Sequence, residues 1–76
     1  MTDTKRLKEI LKNSGYKSRY VAQYVGISYQ ALLNKINNVT EFRVFEIVKL
    51  CELLKISDSD RDKIFFATSV AEISNN

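Results

Sequence analysis

Residues 21–38 read VAQYVGISYQALLNKINN. Two apolar-patterned segments meet there at Gly26, and the second carries Gln30, Asn34 and Asn37. An exposed helix face more often carries Lys and Glu at such positions. Ala22 stands four residues before Gly26 and Leu32 six after it. Two helices that cross closely need a small residue where their backbones approach, here Ala22. They also need a residue free to take positive φ in a short turn, here Gly26. Val25, Ile27 and Leu32 then fill the wedge between the helices, which gives helix-turn-helix spacing over about residues 18–37.

Around the second of these helices, at about 100° per residue, Ile36 falls about 40° to one side of Leu32 and Ser28 about 40° to the other. That side is expected to be buried. Gln30, Asn34 and Asn37 fall about 160°, 200° and 140° away, with Leu33 at the edge of their stripe. Each Gln or Asn amide offers a donor and an acceptor side by side, the pattern that matches adenine N6 and N7 in a major groove.

Outward from this stretch the pattern predicts helices and no strand. The first covers roughly 4–13, with Leu7, Ile10 and Leu11 on one face, and ends at Ser14-Gly15. The second runs over about 18–25, with Ser18 the better capping residue and Lys17 the alternative. Ser28 caps the third, at about 29–37, and Asn37-Asn38 closes it because Asn tolerates the left-handed conformation. The fourth covers about 43–55 with Val44, Ile47, Val48, Cys51 and Leu54 inward. The fifth begins at Ser57-Asp58-Ser59-Asp60, where a Ser cap and early acids complement the helix dipole. The expectation is a single all-α, five-helix domain over residues 1–76.

Composition narrows the chemistry. One cysteine, Cys51, permits no internal disulfide or cysteine-rich zinc site, and the absence of His removes the commonest metal ligand and general base. No apolar run approaches a membrane span, and the charged start MTDTKRLKEILKN is unlike a signal peptide, so a cytoplasmic protein is expected. The net charge is +3, but residues 1–43 hold eight cations against three acids, whereas residues 44–76 hold four against six. That asymmetry turns the N-terminal half towards a polyanion.

The segment V-A-x-x-V-G-I-S followed by Leu32 and Asn37 resembles the helix-turn-helix of Cro/CI-type (XRE-like) regulators of phages and mobile elements, over about residues 7–54. The run EIVKLCELLKISDSDRDKIFFA is similar to the C-terminal half of small regulators from phages of Gram-positive bacteria. The resemblance implies a lambda-repressor-like fold and a transcriptional regulator in a bacterial host cell. It implies that Tyr29, Gln30 and Asn34 touch bases, with Leu33 on a thymine methyl. It also implies that Lys17, Ser18, Arg19, Ser28, Lys35, Asn37 and Arg43 track phosphate. The sequence departs from the family pattern at Lys35, where an apolar residue is common, and at Asn38 in place of Gly. No Arg stands on the reading stripe, so bidentate guanine contact is not available from it.

Other residues have plainer readings. Tyr16 is expected to pack under the second helix. Tyr20 and Tyr24 lie at i, i+4 on its outer side, suited to phosphate or to a protein interface. Cys51 is read as an apolar filler. Asp58, Asp60 and Asp62 lack the Gly and distal Glu of a calcium loop and are read as helix capping. Phe65 and Phe66 cannot both face one core, which leaves one of them, with Val70 and Ile73, for a partner. A homodimer through helix five and the tail, residues 58–76, is therefore expected on a near-palindromic operator. The alternative is a phage modulator or antirepressor that grips a repressor protein through the same fold. No cofactor, metal or catalytic residue is expected, and no enzyme.

Overall fold

A computed structural model describes residues 1–67. Among them are five helices and no strand: α1 (Thr4–Ser14), α2 (Ser18–Val25), α3 (Tyr29–Ile36), α4 (Val44–Leu54) and α5 (Asp58–Phe65). None of these helices is long and apolar enough to cross a membrane.

Local chemistry sets most of the boundaries. Asp3, not anticipated as a cap, accepts the Arg6 N–H at 3.1 Å and starts α1. Gly15 ends α1 at φ +78°. At the end of α2, Gly26 takes φ +92° and its N–H donates to Ala22 O at 2.9 Å. A Cβ added at Gly26 would meet nothing, so the demand for glycine there comes from φ alone. Ser28 Oγ accepts the Ala31 N–H at 3.0 Å to start α3, and Ser57 Oγ accepts the Asp60 N–H at 3.1 Å to start α5. The start of α2 differs from expectation. Its N-cap is Lys17, which supplies no side-chain acceptor, and Ser18 is the first helical residue.

Leu7, Val21, Ala22, Val25, Leu32, Ile36, Phe42, Ile47, Leu50, Ile64 and Phe65 form one buried cluster among the described residues. Through it α2 packs on both α3 and α4, while α1 touches α3, α4 and α5. Phe65 meets Phe42 edge-on, with ring centroids 5.4 Å apart. Phe66 is 53 % exposed, and Val70 and Ile73 lie outside the described residues.

The inward face of α4 corrects part of the expected one. Ile47 is buried and Cys51 and Leu54 pack partly buried against the cluster, as expected. Val44, however, is 74 % and Val48 49 % exposed, and Glu46 and Leu50 turn inward in their place. A helix apolar on nearly every side has no clean stripe to read. Its rotation is fixed by Glu46, which accepts the Arg43 N–H at 2.8 Å and the Lys35 ammonium at 2.6 Å through the same oxygen. An arginine side chain offers no acceptor in return, so only half of a capping box forms.

The end of α3 is tied to the start of the chain. Asn38, at φ +62°, accepts the Thr2 N–H at 2.9 Å and donates to Thr2 O at 2.8 Å and to Thr4 Oγ1 at 3.0 Å. Thr4 Oγ1 in turn donates to Ile36 O at 3.0 Å, and the Asp3 N–H reaches Ile64 O at 2.6 Å. Asn38 therefore supplies a clasp as well as a tolerated left-handed turn.

Candidate nucleic-acid interface

The three-residue connection Gly26–Ser28 sets α3 against α2 with Leu32 and Ile36 buried. The opposite side of α3 is thereby left outward. Ser28, expected on the buried side, is exposed, because a capping residue stands outside the helix it starts. Gln30 and Asn37 are exposed and Asn34 is half-buried. Gln30 Nε2 donates to Asn34 Oδ1 at 3.2 Å. That bond holds the two amides in register and still leaves the Gln30 carbonyl, its second N–H and the Asn34 amide donors for a third party.

Tyr29, the first residue of α3, is half-buried, and the Arg19 guanidinium lies 4.5 Å from its ring centroid. The stack links the start of α2 to the start of α3 by a cation–π contact. Lys17 and Arg19 are exposed and Ser18 half-buried. Because Lys17 gives no side-chain acceptor, the first-turn N–H groups of α2 remain open to an anion. Arg43 is exposed at the N-cap of α4.

Lys35 is removed from the phosphate-facing set. Its side chain is only 12 % exposed and its ammonium is held by buried Glu46. Burial alone would raise the Glu46 pKa, but the hydrogen bonds from Lys35 and the Arg43 N–H outweigh it and leave the carboxyl below its usual range. Lys8 and Lys12 were not singled out in the sequence. Both line a groove of about 370 Å³ with Ser18, Leu33 and Asn37. Their spacing at i, i+4 on the polar face of α1 was a visible signal; their proximity to α3 was not.

Tyr16 corrects a second expectation. It is exposed, not packed beneath α2, and stacks on Tyr20 with ring centroids 5.4 Å apart. Tyr20 stands 6.5 Å from Tyr24, whose hydroxyl donates to Glu52 at 3.2 Å. That hydrogen bond is the first reason the phenol pKa is raised, followed by desolvation and the charge of Glu52. The three rings, Tyr16 from the connection before α2 and Tyr20 and Tyr24 on α2 itself, form an outward ladder that ends against α4.

Cys51 is half-buried, and burial pushes its thiol pKa up, away from nucleophilic use. No cluster of three metal-ligating side chains occurs among the described residues. No protein-family model, curated protein or solved structure matches this chain.

Proposed function

We propose that this chain is a sequence-specific DNA-binding transcriptional regulator of Cro/CI type, built on a lambda-repressor-like helix-turn-helix fold. The observation that carries the reading is the registered Gln30–Asn34 amide pair, turned outward on a helix whose neighbour begins with an uncapped, cation-flanked N-terminus. The amides match base edges, and open N–H groups beside Lys17 and Arg19 match phosphate. In this reading α3 enters the major groove, Tyr29, Gln30, Leu33 and Asn34 face bases, and Lys17, Ser18, Arg19, Ser28, Asn37 and Arg43 fix the register on the backbone. Regulation then works by occupying a promoter and needs no chemistry.

Exposed Phe66 supports pairing with a second copy, which a two-fold operator would use. A second reading, a modulator that binds a repressor protein, is favoured by the tyrosine ladder and by exposed Val44, Phe45 and Val48. A gel-shift titration on the DNA flanking the gene, at two salt concentrations, separates the two. A DNA reader binds selectively and loses affinity steeply as salt rises. Absence of binding at micromolar protein would overturn the DNA reading in favour of the modulator.

A further inference from the structure

The groove beside α3 is built by three helices. Lys8 and Lys12 of α1 line it with Ser18 of α2 and Asn37, the C-cap of α3, and Leu11 and Leu33 give it an apolar wall. Both lysines are exposed, and among the described residues neither enters an ion pair. Leu33 and Asn37 belong at once to this groove and to the outward side of α3. An occupant of the groove is therefore continuous with whatever α3 meets.

We propose that the groove seats the sugar–phosphate backbone of duplex DNA, with Lys8 and Lys12 as phosphate ligands beyond those already assigned; the inference rests on the DNA-binding reading. Phosphate oxygens suit two uncommitted ammonium groups and the Ser18 and Asn37 side chains. The deoxyribose face suits the Leu11 and Leu33 wall, for which a small free anion has no use. The contact adds affinity and orientation without sequence information, because phosphates are alike at every base pair.

The test compares the full chain with Lys8→Gln/Lys12→Gln and with Lys5→Gln/Lys63→Gln, which removes the same charge away from the groove. Two lost phosphate contacts should flatten the slope of log K against log salt by about 1.8. The ratio of operator to random-duplex affinity should stay within about twofold, and the control pair should keep the full slope. In the unaltered protein, duplex DNA should also protect Lys8 and Lys12, but not Lys63, from acetylation. An unchanged slope in the Lys8/Lys12 variant, an equal loss in the control, or protection by inorganic phosphate alone overturns this occupant while the DNA reading stands. An unaltered protein with no salt-sensitive DNA binding overturns both.

Discussion

Lys35 carries a positive charge that the surface cannot use, because Glu46 holds it at 2.6 Å behind a side chain 12 % exposed. Removing one member of such a pair leaves the other buried and uncompensated. Lys35→Met should therefore cost about 3 kcal/mol at neutral pH, read by urea titration. The pH dependence has a definite sign. The folded pKa of Glu46 is depressed, so its stabilising contribution is present above the unfolded value and lost as pH falls through the folded one. In Lys35→Met the buried, unpaired Glu46 is held above the ordinary carboxylate range. The gap between the unaltered protein and the variant should thus begin to narrow above about pH 4.3 and go on narrowing as pH falls through the folded value of the intact pair. A gap that widens in acid would contradict the assignment. On the proposed function, Gln30→Ala with Asn34→Ala should lower discrimination between operator and random duplex on the order of 100-fold, at roughly 1–3 kcal/mol per lost contact. The two amides bond each other, so the single changes should not sum to the double. Preference surviving both changes would remove these residues from base contact.

At the scale of the helix, the caps decide more than the interiors do. Gly15, Gly26, Ser28 and Ser57 mark ends that the sequence shows directly, because each answers a local demand for positive φ or for an acceptor. The starts of α2 and α4 have no side-chain acceptor at the N-cap, and the open start of α2 is the feature the proposed function uses. Lys17→Ser should stabilise the domain by about 0.5–1 kcal/mol and weaken DNA binding, since it fills the open N–H groups and removes a cation. A melting curve and a binding isotherm should move in opposite directions. The end of α4 is strained, with Lys55 at φ +56°, and Lys55→Gly should raise stability by up to about 1 kcal/mol as relief of the left-handed strain exceeds the entropy of glycine. The rotation of α4 was not legible in advance. Val44, Phe45, Ile47, Val48, Leu50, Cys51, Leu53 and Leu54 cover most of its circumference, and the arbiter, Glu46, acts through Lys35 eleven residues earlier. The same limit hid the Arg19–Tyr29 stack, the Lys8–Lys12 groove and the Asn38 clasp, since each joins residues that no local period connects.

At the scale of the molecule, a buried cluster joins the five helices of the described residues, so damage anywhere in it is felt in all of them. A domain of this size has a total stability of roughly 4–11 kcal/mol. Leu32→Ala at a fully buried site should cost about 3–5 kcal/mol and unfold a large share of the population on warming, with helix signal and any DNA binding lost together. Loss of binding with an intact melt would show that Leu32 has a role besides packing. The clasp at Asn38 acts at this scale too. It fastens the far end of α3 to Thr2 and Thr4 while Ser28 and the Arg19–Tyr29 stack hold the near end. α3 is thereby tied to its neighbours at both ends, which resists its pivoting. On the proposed function, mismatch between protein and duplex must then be absorbed by the duplex. Steps that bend easily would be favoured at base pairs the protein never touches, and operator choice would carry a mechanical component alongside the chemical one.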